Sequence, residues 1–275
     1  MGTSSAPRRR ACSRARRFVE FVAQQPAALK GALAESKRVL MRSRLGRWFG
    51  ERNCTRFCDV RVAERDGEVT FLVIHGRGPR NTSIIENDTA RSRLSFIPDK
   101  QDTIVYDVET GRLAVNARWP VEHDTYRRLV GEVFFKDADH FLAHEVYTGD
   151  PLVEDGAAAL SVAGIPGLVG AALKKFEVHD TSEPAERLLW RGPDLGRKLG
   201  SEEARVYFDG RVVSYLRLAL ALRGRKRLLS VEITPPNKVT YDRRVGDAVV
   251  REFLLARRFM RLPDAEALPR AAGAR

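Results

Sequence analysis

The sequence contains few cysteines and no hydrophobic run long enough to span a membrane. Its three cysteines, Cys12, Cys54 and Cys58, are too few to hold a chain of 275 residues together by disulfide bonds. The uncharged stretch from Ala157 to Leu173 has 17 residues and includes Pro166, whereas a membrane-spanning helix needs about 20 apolar residues. We therefore expect a cytoplasmic protein in which this stretch forms a buried strand, a turn and a short helix. A membrane-acting effector that uses residues 157–173 is an alternative.

The sequence also lacks any specific catalytic or metal-binding motif. His140 and His144 are four residues apart, beside Asp137 and Asp139, and on a helix the two imidazoles would share a face and could hold zinc with one carboxylate. Phe141 stands where the H-E-x-x-H motif requires Glu. We therefore expect no metal and no cofactor. A metal-assisted hydrolase or nuclease around His140 and His144 is an alternative to a binding protein.

Acidic residues are scarce at the N-terminal end, and basic residues are concentrated there. Up to Arg56 the chain has 14 lysines and arginines but three acids, an excess of 11, whereas the remainder has 34 basic and 33 acidic side chains. Such an asymmetry indicates an acidic partner. Because nucleic acid carries a phosphate charge about every 1.7 Å along a duplex, a cluster of arginines binds it without shape complementarity.

This charge predicts a non-enzymatic, nucleic-acid-associated accessory or regulatory protein that binds mainly phosphate groups through its N-terminal segment. An anionic membrane surface and a protein partner are alternative targets of the same charge. The predicted nucleic-acid-binding residues are Arg8, Arg9, Arg10, Arg14, Arg16, Arg17, Lys37, Arg38, Arg42, Arg44 and Arg47. A secondary basic surface is predicted at a hairpin tip, formed by Arg223, Arg225, Lys226 and Arg227. A further basic set recurs every seven residues on the last helix and consists of Arg244, Arg251 and Arg258.

The segment from His75 to Ser83 follows a predicted strand and combines glycines with two arginines. Its backbone amides could cradle a phosphate group. It lacks the Lys-Ser/Thr ending of a P-loop and precedes no clear helix, so an ordinary loop is the simpler interpretation.

The order of apolar patterns predicts an α+β fold, with antiparallel β-hairpins and a meander whose amphipathic helices lie on one face of the sheet. A basic N-terminal arm and helix precede it. The predicted segments are a flexible basic arm over 1–17, a basic amphipathic helical segment over 18–55, β-hairpins plus a helix over 56–150, a β-meander plus a C-terminal helix over 151–262, and a tail over 263–275. The third and fourth segments form either one domain or two, and Met41 offers an alternative start.

Turn residues place hairpins around Gly67 and Gly111 in the first half, with a helix over about 122–135. The residues predicted to line the buried face of this helix recur at helical spacing and are Tyr126, Leu129, Val130, Val133 and Phe134. The predicted meander comprises strands over 204–208, 211–222 and 227–234, with Gly210 in a turn. A last helix over about 245–260 is predicted to bury Val245, Val249, Phe253 and Ala256.

Overall fold

The computed structural model describes residues 16–23, 26–52, 54–142, 145–180, 182, 186–199, 208 and 210–261. This part of the chain combines helices with mostly antiparallel strands, so the predicted α+β class is confirmed. It forms two compact units. The N-terminal unit contains residues 18–147 with 236–238, and the C-terminal unit contains residues 148–235 with 239–260.

The N-terminal unit is built on an antiparallel sheet. Its strands are β1 (Arg16–Ala23), β2 (Cys58–Arg65), β3 (Glu68–Gly76), β4 (Arg80–Asn87), β5 (Ala90–Phe96), β6 (Asp99–Asp107), β7 (Arg112–Asn116) and β8 (Phe141–Leu142). The main sheet has the order β8-β1-β7-β6-β3-β2, while β4 and β5 form a two-stranded sheet of their own. Both hairpins predicted from turn residues are therefore confirmed, as β2–β3 and β6–β7.

Helices of the N-terminal unit cover the apolar face of this sheet. Helix α1 spans Glu35–Gly50, and helix α2 spans Pro120–Val130 and continues into a π-helical turn over Gly131–Phe135. The helix predicted over 122–135 is thus confirmed, with Phe134 half-buried and its other four predicted core residues buried. Large side chains of both helices join those of β3 and β6 in one core, which includes Met41, Leu45, Phe49, Phe71, Ile104, Tyr106 and Tyr126.

The helical segment predicted from residue 18 is wrong at its start, because residues 18–23 belong to strand β1. Every side chain from Phe18 to Ala23 is buried, and a short run that is apolar on both faces cannot be told from a helix by its spacing. Glu20 is buried there beside Arg112 (Nη1 to Oε2, 3.3 Å) and accepts a hydrogen bond from Tyr147. Residues 1–15 of the predicted arm lie outside the described residues, and Arg16 and Arg17 open β1.

The C-terminal unit contains the second set of antiparallel strands. Its elements are α3 (Asp150–Glu154), a 3₁₀ helix (Gly156–Leu160), β9 (Leu168–Asp180), β10 (Arg187–Arg191), β11 (Arg211–Leu222), β12 (Leu229–Thr234), β13 (Lys238–Tyr241) and α4 (Asp247–Ala256). The strand order is β10-β9-β11-β12-β13. The uncharged stretch 157–173 forms most of the 3₁₀ helix, a turn and the start of β9. No helix within the described ranges is both long and apolar enough to cross a membrane.

Two expectations for the C-terminal unit need correction. The described partner of β11 opposite β12 is β9, whereas the strand predicted over 204–208 lies outside the described residues except for Phe208. Helix α4 begins after Gly246 and buries Val250, Phe253 and Leu254, rather than Val245, Val249 and Ala256. The buried stripe follows i, i+3 and i+4 from Val250, and only Phe253 is shared with the prediction. The predicted tail, 263–275, lies outside the described residues.

Candidate functional site

The N-terminal unit contains a cavity of about 410 Å³, within the range of about 300 to 1,000 Å³ that is typical of small-molecule sites. Its walls come from the end of α1, the segment that joins β3 to β4, the start of β6 and the first turn of α2. The glycine- and arginine-bearing segment from His75 to Arg80 therefore lies at the cavity. Gly76 is required for the close approach of Thr55, since a Cβ on residue 76 would lie 2.1 Å from Cγ2 of Thr55.

Basic side chains dominate the lining of the cavity. One acidic side chain, Glu122, lies among five basic ones, which are Arg52, Arg77, Arg80, Lys100 and Arg118. Among the described residues, Arg77, Arg80 and Arg118 have no ion-pair partner. Nε of Arg77 is buried and lacks a hydrogen-bond partner there. An anionic ligand would supply the charge and the acceptor that these side chains lack.

Two tryptophans line the same cavity, and each carries an arginine on its ring. The guanidinium carbon of Arg52 lies 4.0 Å from the ring centroid of Trp48, and that of Arg118 lies 4.7 Å from the ring of Trp119. Trp119 is 54% exposed. Exposed aromatic rings beside cationic groups are the usual platform for a planar, negatively charged ligand such as a nucleotide.

Buried charged side chains form the inner part of the cavity wall. In the antiparallel β3–β6 pair His75 is the register partner of Lys100, and Asp102 lies two residues further along the same face. Glu122 and Tyr126 are separated by one turn of α2, and their side chains bond to this face. The pairing of β3 with β6 and the placement of α2 thus bring five polar side chains together.

Lys100 bonds to both carboxylates of this network. Its Nζ lies 2.6 Å from each carboxylate oxygen of Glu122 and 3.2 Å from Oδ2 of Asp102. Glu122 also accepts hydrogen bonds from the backbone amides of Arg118 and Trp119, at 3.0 and 2.9 Å, and these bonds cap the start of α2. One glutamate therefore connects the helix terminus, the lysine of β6 and the cavity.

His75 and Tyr126 complete the network around Asp102. Nε2 of His75 lies 3.1 Å from Oδ2 of Asp102, and Nδ1 lies 3.0 Å from the carbonyl oxygen of Gly76. Both partners are acceptors, so both hydrogen bonds form together only when the imidazole carries two protons. The ring of Phe49 stacks on this imidazole at 3.7 Å.

Burial alone would raise the pKa of Asp102, but three neighbouring groups reverse its effect. The hydrogen bond from His75, the charge of Lys100 and the hydroxyl of Tyr126 hold the pKa of Asp102 below its ordinary value. Burial and the negative charge of Asp102 raise the pKa of Tyr126 well above its ordinary value. Tyr126 consequently remains a hydrogen-bond donor, with its hydroxyl 2.7 Å from Oδ2 of Asp102.

The donor set can be compared with what a metal ion requires. His75, Asp102 and Glu122 offer ligand atoms within 4.8 Å of one another, a spacing that suits one ion. Lys100 Nζ, however, lies between the two carboxylates and bonds to both. A cation would have to displace this ammonium group. The arrangement of these side chains therefore favours a lysine-neutralised carboxylate pair over a metal centre.

Cys58 lies on β2 next to the network but is poorly suited to act as a nucleophile. Burial, followed by the charge of Asp59, raises the pKa of the Cys58 thiol to about 12. A thiolate is the reactive form, so this side chain is almost entirely protonated at neutral pH.

The basic residues predicted on α1 are mostly engaged in contacts within the chain. Lys37 donates to the carbonyl of Val133, Arg38 and Arg42 pair with Glu35, and Arg44 pairs with Glu132. Arg47 is exposed, with no ion pair to a described residue. Of the arm residues, Arg8, Arg9, Arg10 and Arg14 lie outside the described residues, as does the side chain of Arg16, and Arg17 is exposed. Nucleic-acid binding by the basic residues of α1 stays a prediction.

The structure also gives the contacts and exposure of the predicted histidine pair and of the two further basic sets. The ring of His140 stacks on Phe135 at 3.7 Å, and burial lowers the pKa of His140, while His144 lies outside the described residues. The basic set on the last helix pairs with acids: Arg244 with Asp242, Arg251 with Asp247, and Arg258 with Asp155 and Glu154. The tip formed by Arg223, Arg225, Lys226 and Arg227 is exposed. It remains a candidate basic surface.

No protein-family model matches this chain, and no curated protein sequence is significantly similar to it. The site is therefore interpreted from its own chemistry. Sequence reasoning found the segment from His75 to Arg80 but missed Trp48, Trp119 and the buried network. Two local signals mark them: the charged Lys100-Gln101-Asp102 at the start of an apolar strand, and the spacing of Trp119 and Glu122 around a helix start.

Proposed function

We propose that the protein is a nucleic-acid-associated factor and that its cavity holds a nucleotide unit of a single strand. The observation that carries this proposal is the set of unpaired arginines, Arg77, Arg80 and Arg118, in a cavity that is also lined by the half-buried Trp48 and the exposed Trp119. Phosphate groups would bind the guanidinium groups, and a base would stack on a tryptophan. This combination is typical of proteins that bind single strands without reading their sequence.

The buried network supports this role because it keeps the carboxylates of Asp102 and Glu122 from pairing with the arginines at the cavity. Both carboxylates bond to Lys100 inside the wall, and neither forms an ion pair with Arg77, Arg80 or Arg118. The basic arm extends the same proposal. Its arginines would add phosphate contacts outside the cavity, and each contact would add to the salt dependence of binding.

Tryptophan fluorescence tests the cavity directly. The chain has three tryptophans, and Trp190 lies in the C-terminal unit, so Trp190→Phe leaves signals from the two cavity tryptophans. We expect short oligothymidylate to quench this fluorescence. Trp48→Ala should weaken binding by about 5- to 150-fold, which corresponds to the roughly 1–3 kcal/mol of a base–aromatic stack. Equal affinity of Trp48→Ala and its parent would contradict the proposal.

Charge variants provide the matched comparison. Arg77→Gln/Arg80→Gln should flatten the dependence of log K on log salt by about 1.4, since each single-strand phosphate contact contributes roughly 0.7. Arg61→Gln/Arg65→Gln changes the same charge on β2, at exposed arginines that do not line the cavity. The control variant should keep the parent slope. Deletion of residues 1–15, which spares β1, should flatten the slope independently of the cavity substitutions.

A further inference from the structure

Strands β4 and β5 form a ribbon that starts at the cavity. Their residues pair from Arg80 with Phe96 to Asn87 with Ala90, and most of the side chains are exposed. Arg80 is both the first residue of β4 and part of the cavity lining. A two-stranded sheet alone has marginal stability in water and is commonly completed by a partner. This β4–β5 ribbon is therefore a candidate interaction surface.

The two faces of the ribbon differ in chemistry. Cross-strand partners share a face, and one face carries the pairs Asn81 with Ser95, Ser83 with Arg93 and Ile85 with Arg91. Neither Arg91 nor Arg93 forms an ion pair with a described residue. The acids Glu86 and Asp88 follow Ile85 at the turn. One face thus combines two unpaired arginines with hydroxyl and amide groups, all of which bond readily to phosphate oxygens.

The dimensions of the ribbon suit a groove of duplex DNA. Strands of eight and seven residues at about 3.3 Å per residue give a length of roughly 23 to 26 Å. The major groove of B-form DNA, about 12 Å wide, admits a two-stranded β-ribbon, whereas the deep and narrow major groove of A-form RNA does not admit side chains. Ile85 is 78% exposed on the basic face, where an apolar group could contact a thymine methyl.

We infer that the ligand is a DNA duplex with a single-stranded overhang, the overhang entering the cavity and the duplex lying against the basic face of the β4–β5 ribbon. The inference rests on the proposed function for the overhang and adds the ribbon for the duplex. Arg80 opens β4 and lines the cavity, on the face of the ribbon opposite Arg91 and Arg93, so a strand that leaves the duplex at this end of the ribbon would pass its edge to reach the cavity.

The test compares three probes by fluorescence anisotropy at several salt concentrations: a single strand, a blunt duplex and the same duplex with an overhang. The full-length protein should bind the overhang duplex more tightly than either other probe. Arg91→Gln/Arg93→Gln should flatten the salt slope for both duplexes by about 1.8, since each duplex phosphate contributes roughly 0.9. Single-strand binding should be unchanged by this substitution. Both positions are exposed, so the thermal melt should also be unchanged.

Arg61→Gln/Arg65→Gln is again the control, because it removes the same charge at exposed arginines of β2 that belong to neither the ribbon nor the cavity lining. An unchanged duplex slope in Arg91→Gln/Arg93→Gln, or an equal change in the control, would overturn the role of the ribbon. If the overhang gives no gain over the blunt duplex while the ribbon substitution still flattens the slope, the cavity proposal fails and the ribbon keeps its role.

Discussion

Replacement of Lys100 by methionine tests the buried network most directly. Methionine retains an unbranched apolar stem of similar length, so the change removes the ammonium group and leaves most of the packing in place. In the native protein this group bonds to both oxygens of Glu122 and to Asp102, with Lys100 only 8% exposed. The variant is left with two buried carboxylates and without the ammonium group that bonds to both.

The expected cost follows from the burial of these charges. Removing one partner of a buried ion pair typically destabilises a protein by about 3–5 kcal/mol, because the remaining charge is uncompensated. Glu122 keeps the amides of Arg118 and Trp119, and Asp102 keeps His75 and Tyr126, so we expect a value near the lower end, about 3 kcal/mol. Urea denaturation followed by circular dichroism measures this difference.

Two comparison variants make the result specific. Lys100→Met/Glu122→Gln removes both the cation and one carboxylate and should recover part of the loss, which a double-mutant cycle quantifies. Arg44→Met breaks the Arg44–Glu132 pair, whose side chains are 40% and 49% exposed, and should cost at most about 1 kcal/mol. A loss under 1 kcal/mol at pH 7 would refute the assignment of Lys100 as the neutralising cation.

Three further predictions concern single positions. The pKa of Cys58 is about 12, against an ordinary 9.0. In a variant that lacks the other cysteines, Cys58 should therefore react with a thiol reagent at pH 8 roughly 10³-fold more slowly in the folded protein than in the unfolded protein. Comparable rates would contradict its burial. Gly111→Ala should lower the thermal stability of the protein more than Gly210→Ala does. Both glycines have positive φ (+66° and +67°), where a Cβ typically costs about 1 kcal/mol. Only at Gly111 would the Cβ also crowd Pro26, at 3.1 Å. The pKa of Asp102 in the folded protein is lower than its ordinary 3.8, so its contribution to stability is complete above pH 3.8 and is lost as pH falls through the folded pKa. Asp102→Asn should therefore lose less stability than the native chain between pH 5 and pH 2.5. An equal dependence of unfolding free energy on pH in both proteins would argue against a stabilising role of the Asp102 carboxylate.

The spacing of apolar residues and the identity of the turn residues were enough to predict much of the N-terminal unit. The alternation around Gly111 predicts β6–β7, and the spacing from Tyr126 to Val133 predicts the buried face of α2. Both signals are local, because a hairpin is set by its turn and an amphipathic helix by its own periodicity. The residues around Phe18 carry no such signal. Strand β1 is buried on both faces, and that burial depends on partners distant in the sequence.

The site was less predictable because its members are contributed by separate elements. Glu122 resembles an ordinary exposed glutamate at a helix start, and its contact with Lys100 depends on how α2 packs on the sheet. The excess of arginine near the N-terminus is a property of the sequence, but the pairing of Arg38, Arg42 and Arg44 with acids is a property of the fold. Net charge therefore indicated an acidic partner without locating the unpaired arginines.

The β4–β5 ribbon is attached to the main sheet in a way that makes it separable from that sheet. Residues 77–98 leave the main sheet and return at adjacent positions, because Gly76 and Asp99 are register partners and the Arg77 amide donates to the Pro98 carbonyl at 2.8 Å. Topologically the ribbon is an insertion, since a two-residue turn between Gly76 and Asp99 would join β3 to β6 as a simple hairpin. Its excision would also remove Arg77 and Arg80 from the cavity. The ribbon and two of the cavity arginines are thus modular with respect to the fold and would be gained, lost or transplanted together, whereas Trp48, Trp119 and Arg118 would stay with the remaining fold.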